Sequence, residues 1–182
     1  MRLNEKYKRE ISYLLNININ EVTETKDIAN KLDIMGKDLD EKIFNNDLSL
    51  LNKAYKCRIN AAIIYESLSL NLNAGYSYDR AAKISRLIYF YKQAELKIKA
   101  GNNYLKANNF INAAHCYMHA TKRFLRAEDM KNATYYLKKA QDLFNQNGGI
   151  PNHGYINSIM RLYEYSKNKL NQSKTSGLET YL

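Results

Sequence analysis

Apolar residues recur along this chain at the three- and four-residue spacing that is typical of amphipathic α-helices. The clearest case is a pair of stripes that alternate alanine with a larger side chain. They are Ala113, Tyr117, Ala120 and Phe124, followed by Ala133, Leu137, Ala140 and Phe144. Alanine lets two helix backbones approach closely while the larger side chains fill the adjacent groove. The pattern predicts an all-α solenoid of antiparallel helix hairpins, with about seven to eight helices.

The same periodicity places the individual helices. They are predicted at residues 3–15, 22–44, 47–70, 78–107, 110–127, 130–145 and 152–170. Asp47 is suited to capping the third helix, and the polar segment 71–77 (NLNAGYS) is predicted to be a loop. Because 78–107 is long for one globular helix, we expect a break near Ala94 or Glu95 that creates two antiparallel helices.

These elements suggest three parts: an N-terminal helical extension at residues 1–46, a helical repeat domain at 47–170 and a flexible tail at 171–182. No apolar run approaches the roughly 20 residues that span a bilayer, and the first residues lack the apolar core of a secretory signal. We therefore expect a cytoplasmic protein. Cys57 and Cys116 lie within helical patterns, which favours reduced, buried thiols over a disulfide.

The net charge of +10 is unevenly distributed along the chain. Residues 1–70 contain 11 Lys/Arg and 11 Asp/Glu, whereas residues 71–182 contain 17 and 7 and so carry the whole excess. Lys, Asn, Ile and Tyr are all abundant, so an AT-rich codon bias can account for part of this charge. A partner of opposite charge would bind to the second part of the chain.

One predicted helix concentrates the positive charge on a single face. His115, His119, Lys122 and Arg126 fall within about 60° of one another, roughly opposite the Ala113 stripe. Further cations on neighbouring helices could extend this surface. They are Arg80, Lys83, Arg86, Lys138 and Lys139. The alternative interpretation is an ordinary solvated helix face.

Signals for metal binding and catalysis are weak. His115, Cys116 and His119 share a helical turn, but no glutamate follows His115 as in HExxH, and only His153 remains as a further histidine. No nucleophile has a recognisable base near it in sequence, and the glycines around Pro151 resemble a turn more than a phosphate-binding loop. The sequence predicts neither a metal, a cofactor nor an enzymatic activity.

Two segments carry a family resemblance. The spacing of Gly101, Tyr104, Ala113, Tyr117 and Ala120 resembles the tetratricopeptide pattern. The longer string, YDRAA at 78–82 followed by NAAHCYMHATKRFLRAEDMKNATYYLKKAQDLFNQNG at 112–148, is similar to the soluble NSF-attachment protein (SNAP) family, most of all its gamma branch. The resemblance covers roughly residues 47–170. It implies an adaptor that lies along a SNARE coiled-coil bundle and recruits the ATPase NSF in membrane fusion and intracellular protein transport.

The resemblance implies two further sites. In the SNAP family, the loop after the first matching helix touches the membrane, and here Tyr76 and Tyr78 would supply that peripheral contact. The alternative is that Tyr78 packs on the next helix while Tyr76 is exposed. Leu178 and Leu182 would be the C-terminal residues that couple to the ATPase, although no acidic run accompanies them.

Family members continue with more repeats, so we expect this chain to bind SNARE bundles weakly and not to support their disassembly by itself. Two other classes of function remain open at this stage. The chain could be a generic tetratricopeptide-like scaffold or chaperone, or a basic nucleic-acid-binding protein. The latter would place stacking aromatic rings among the cations of an exposed face.

Overall fold

The computed structural model describes residues 4–21, 25–42, 47–88, 92–147 and 153–178, apart from the side chains at 19, 41, 42, 86–88, 153, 155 and 169–178. Over these ranges the chain forms eight α-helices, one short 3-10 helix (Ile19–Glu21) and no β-strand. The helices are α1 (Glu5–Leu15), α2 (Lys26–Lys42), α3 (Leu48–Ser67), α4 (Asn71–Ile88), α5 (Lys92–Lys106), α6 (Phe110–Arg126), α7 (Met130–Gln146) and α8 (His153–Leu178). The predicted all-α class is confirmed.

Helix boundaries follow from local side-chain and backbone chemistry. Asn4, Asp47 and Asp129 each accept a backbone N–H bond from the first turn of α1, α3 and α7, respectively. The cap predicted at Asp47 is thereby confirmed. Four residues with left-handed backbones bend the chain after α1, α3, α5 and α6. They are Asn16, Ser69, Asn108 and Glu128, with φ between 53° and 59°.

The chain forms two compact units, residues 1–109 and 110–182. In the first unit, α2 packs on α3, α3 on α4 and α4 on α5, as antiparallel neighbours, and α1 contacts both α2 and α3. Ile11, Leu14, Leu32, Ile64 and Tyr65 meet in its main buried cluster. Helices α1 and α2, which the sequence assigned to an N-terminal extension, therefore share a core with α3.

The second unit is centred on the α6–α7 hairpin. Ala113, Tyr117 and Ala120 are completely buried, and Phe124 is half buried. The second predicted stripe, Ala133 to Phe144, is also buried at all four positions. Helix α8 packs on α6 and α7, with Ile159 buried. Both alanine stripes are therefore confirmed as helix contacts.

Three predicted boundaries differ from the structure. Residues 71–77 are not a loop but form the first two turns of α4. The first hydrogen bond of this helix is donated by the Ala74 N–H to the Leu70 carbonyl at 3.0 Å. The break expected near Ala94 or Glu95 is not there, because both residues lie inside α5, which begins at Lys92. Helix α8 continues to Leu178, beyond its predicted end near residue 170.

Candidate partner-binding surfaces

Helix α6 carries three basic side chains on the side opposite its alanine stripe. His119 and Arg126 are exposed and Lys122 is partly exposed, whereas Ala113, Tyr117 and Ala120 are completely buried. The spacing of three and four residues puts these three side chains on one helix face over two turns. We call them the α6 cationic face. It agrees with the face predicted from the sequence, apart from one residue.

That residue is His115, which lies against α7. Its ring packs edge-on against Phe144, with the centroids 5.3 Å apart and the ring planes at 78°. His115 is only partly exposed as a result. The structure therefore separates His115 from the α6 cationic face and places it in the hairpin contact.

The two adjacent lysines of α7 have different environments. Lys138 is exposed, whereas the ammonium of Lys139 lies 4.4 Å from the ring centroid of the buried Tyr117. Burial lowers the pKa of Lys139, and the same burial makes the contact with the aromatic ring more favourable than it would be in water. Lys139 therefore contributes to packing, and Lys138 is the one of the pair that is accessible to a partner.

Tyr117, which contacts Lys139, belongs to an aromatic cluster between α6 and α7. Phe124 stacks on Tyr136 with the ring planes at 13°, and Tyr136 also lies 5.7 Å from Tyr117. Tyr135, at 59% exposure, meets the edge of Tyr136. Most of these rings pack against one another between α6 and α7. The cluster therefore forms part of the core of the α6–α7 hairpin, and only the Tyr135 ring in it is exposed.

The predicted cations of α4 interact with their own helix. Arg80 donates through Nε to the Tyr76 hydroxyl at 3.0 Å, and its guanidinium lies 5.2 Å from the Tyr76 ring centroid. Lys83 forms an ion pair with Asp79 at 3.3 Å. Arg86 belongs to α4, but its side chain lies outside the described ones. These contacts orient Arg80 and Lys83 without burying them.

The expected membrane loop is part of α4, and one of its two tyrosines is a core residue. Tyr78 is 2% exposed and donates its hydroxyl proton to Glu66 at 3.0 Å. Burial, and then the charge of Glu66, raise the pKa of the Tyr78 hydroxyl. Tyr76 is 41% exposed and supports Arg80. Helical backbone and this buried hydrogen bond hold Tyr78 inside the first unit, so the assignment of Tyr78 to a membrane contact is wrong.

The first unit also contains a buried charge cluster that the sequence did not reveal. Arg58 of α3 is 1% exposed and donates to Asp33 at 2.6 Å and to Asp40 at 3.0 Å, both on α2. Ser77 of α4 donates to the same Asp33 oxygen at 2.9 Å. The available signal was an arginine on the same helix face as the apolar residues Ala54 and Ala61 of α3, together with two aspartates seven residues apart on α2. The cluster joins α2, α3 and α4.

A second polar cluster joins α4 to α5. Lys97 is 3% exposed and forms an ion pair with Asp79, which also pairs with Lys83. Burial by itself would raise the pKa of Asp79, but the charge and hydrogen bond of Lys97, supported by Lys83, lower it below its ordinary value. This aspartate is therefore ionised and structural.

Cys57 and Cys116 are reduced and buried, as predicted. Burial raises the pKa of the Cys57 thiol to about 11, which makes it a poor nucleophile. In the part of the chain that the structure describes, no three His, Cys, Asp or Glu residues are grouped to hold a metal ion. The side chain of His153 lies outside that part. None of the described helices is long and apolar enough to cross a membrane.

The two leucines that were assigned to ATPase coupling cannot be placed with the other residues. Leu178 is the last residue of α8, but its side chain is outside the described ones, and Leu182 is outside the described residues. Comparison of the chain with protein-family models, with curated proteins and with solved structures gives no match. Function is therefore inferred from the surfaces described above and from the sequence resemblance.

Proposed function

We propose that this protein is an adaptor that binds an acidic helical bundle, in the manner of the SNAP family that its sequence resembles. The observation that carries the proposal is the α6 cationic face. His119, Lys122 and Arg126 lie on one side of α6, while the opposite side is fixed to α7 by completely buried alanines. A rigid helix with cations on its accessible side fits a rod-like partner whose surface is acidic.

The partner that the resemblance indicates is a SNARE coiled-coil bundle. Charge attraction would speed the encounter of such a bundle with α6, and it would fix the orientation of the bound complex more than it would raise the affinity. By the same resemblance, the adaptor acts in the cytoplasm at membranes that carry SNAREs and helps to recruit NSF. No cofactor and no catalytic step belong to this role.

Affinity capture from a detergent-solubilised cell extract tests this function. The tagged protein should recover SNARE proteins together with NSF when ATP hydrolysis is blocked, and should release them when hydrolysis is allowed. The variant with Lys122→Glu and Arg126→Glu should lose this recovery. A variant with Lys131→Glu and Lys167→Glu reverses the same number of charges at exposed positions elsewhere in the second unit and should keep it.

The other functional classes give different results in this capture. A generic scaffold or chaperone would recover a partner whose binding is indifferent to ATP hydrolysis and to the α6 substitutions. A nucleic-acid-binding protein would recover RNA or DNA, and nuclease treatment would abolish the recovery. Either result would contradict the proposed function.

A further inference from the structure

A groove of about 530 Å³ lies on the first unit, between the end of α1, the length of α2 and the start of α3. Its floor is apolar and consists of Leu15, Ile17, Ile34, Met35 and Leu39. Ile34 is 60% exposed, which is unusual for a large aliphatic side chain in the middle of a helix. The groove is remote in sequence from the α6 cationic face and belongs to the other unit.

The α2 wall of the groove is a regular helical stripe. Lys31, Ile34, Met35, Asp38 and Leu39 follow one another at the spacing i, i+3, i+4, i+7 and i+8. At 1.5 Å per residue, the stripe is about 12 Å long, which matches a little more than two turns of a second helix. A partner helix would present its own apolar residues at the same spacing, so that the two stripes interlock.

Both walls are fixed before any partner arrives. On α2, Asp33 and Asp40 lie on the side opposite the stripe and pair with the buried Arg58. On α1, the Ser12 hydroxyl donates to the Ile17 carbonyl at 2.6 Å, and the Ile17 N–H donates back to the Ser12 carbonyl at 3.2 Å. These bonds hold Ile17 in place after the left-handed Asn16. A preformed groove binds without the cost of ordering its own walls.

The charges at the rim indicate the chemistry of the partner. Lys31 and Lys53 are exposed at the groove, and within the described residues neither ammonium forms an ion pair. Among the described residues of the lining, Asp38 is the single acidic one. The described part of the rim is therefore positive by one charge, with Lys31 on α2 and Lys53 on α3.

We propose that this groove binds an acidic amphipathic helix, whose apolar residues cover Ile34, Met35 and Leu39 while its carboxylates pair with Lys31 and Lys53. The apolar floor supplies the affinity, and the two lysines select the acidic partner and fix its position. This binding site is independent of the α6 cationic face, because it uses other residues on the other unit.

The test uses a fluorescent designed peptide of about 16 residues, with leucine at the i, i+3, i+4 and i+7 positions of one face and glutamate on both flanks. Fluorescence anisotropy with the full chain should give saturable binding, and a scrambled peptide of the same composition should not bind. Ile34→Asp should weaken binding at least about tenfold, because the new carboxylate faces leucine. Leu72→Asp is the control, since Leu72 is 53% exposed on α4 and lies outside the groove.

A charge-reversal experiment tests the role of the rim. The variant with Lys31→Glu and Lys53→Glu should bind the acidic peptide at least about tenfold more weakly, and should prefer a peptide with lysine in place of glutamate. All substituted side chains are exposed, and circular dichroism would verify that each variant is folded. The α6 residues stay intact in every variant, so the outcome is separate from that of the proposed function.

Three results would overturn the inference. The designed peptide could fail to bind at millimolar concentration, or it could bind the Ile34→Asp and Leu72→Asp variants equally well. Alternatively, sedimentation could show that the parent chain is a dimer and that only Ile34→Asp makes it a monomer. That last result would assign the groove to a second copy of the chain.

Discussion

At the scale of single residues, the space around one glycine decides whether α2 can approach α3. A Cβ atom added at Gly36 would lie 3.0 Å from both Cδ and Nε of Arg58. Arg58 cannot easily move, because Asp33 and Asp40 hold its guanidinium at 2.6 Å and 3.0 Å. Gly36 is thus required by the buried arginine beside it, although glycine is a poor helix former.

Gly36→Ala should therefore destabilise the protein by about 1 to 2 kcal/mol, despite the gain of about 1 kcal/mol that alanine brings to a helix interior. In an Arg58→Met background the clash is removed, and the same change should become stabilising by up to about 1 kcal/mol. Urea unfolding of the four proteins in this cycle measures the coupling. An equal effect of Gly36→Ala in both backgrounds would show that Arg58 is not the cause.

The ion pair between Asp79 and Lys97 predicts a pH dependence of stability. The folded-state pKa of Asp79 is below its ordinary value of 3.8, so the folded state binds fewer protons there than the unfolded chain. This stabilisation is complete above about pH 5 and is lost as the pH falls through the folded-state pKa. Lys97→Met should lower the free energy of unfolding by about 3 kcal/mol at neutral pH. The difference in unfolding free energy between this variant and the parent should become smaller below about pH 4. Urea unfolding at each pH measures this difference, and a difference that stays constant from neutral to acidic pH would contradict this account.

Burial of small residues could be predicted from the sequence, but burial of long polar ones could not. The burial of Ala113 and Ala120 was predicted correctly, because the position of a short side chain around the helix axis determines which neighbour it contacts. His115 and Arg58 have side chains long enough to reach a neighbouring helix, and their contacts depend on Phe144, Asp33 and Asp40. Those partners follow from tertiary packing and not from local spacing.

At the scale of helices, the alanine contacts of the α6–α7 hairpin set its spacing. Ala120 and Ala133 are both completely buried, so neither position has space for a larger side chain. Ala120→Leu or Ala133→Leu should destabilise the protein by about 1 to 3 kcal/mol, because added methylenes force the helices apart. Ala127→Leu is the matched control at an exposed alanine and should change the melting temperature little. Parent-like melting of both core variants would show that the hairpin register is wrong.

The start of α4 shows why a helix can be missed in a sequence. Two asparagines and a glycine in segment 71–77 are typical of a loop. In the structure, Gly75 is a contact residue, since a Cβ there would lie 2.9 Å from the Tyr104 ring of α5. Position 75 requires glycine because α4 and α5 approach closely there, and local helix propensity gives no information about such a contact. By contrast, the caps at Asp47 and the stripes of α6 and α7 are local signals and were predictable.

At the scale of the whole molecule, the two units use charge differently. In the first unit, Arg58 and Lys97 are buried in ion pairs that join helices. In the second, His119, Lys122 and Arg126 remain on the accessible side of α6. The sequence located the excess positive charge in residues 71–182, but it did not reveal that Arg58 and Lys97 of the first unit are buried. Function is therefore tested most directly on α6.

The central claim is that the α6 cationic face binds an acidic helical bundle, and the most direct measurement is the dissociation constant of the chain for a reconstituted SNARE bundle across a salt series. We expect the dissociation constant of the parent to rise at least about tenfold between about 50 and 300 mM salt. Lys122→Glu with Arg126→Glu should weaken binding at least about tenfold at low salt, mainly through slower association, while Lys131→Glu with Lys167→Glu should change it much less. A folded Lys122→Glu, Arg126→Glu variant that binds like the parent at low salt would contradict the claim.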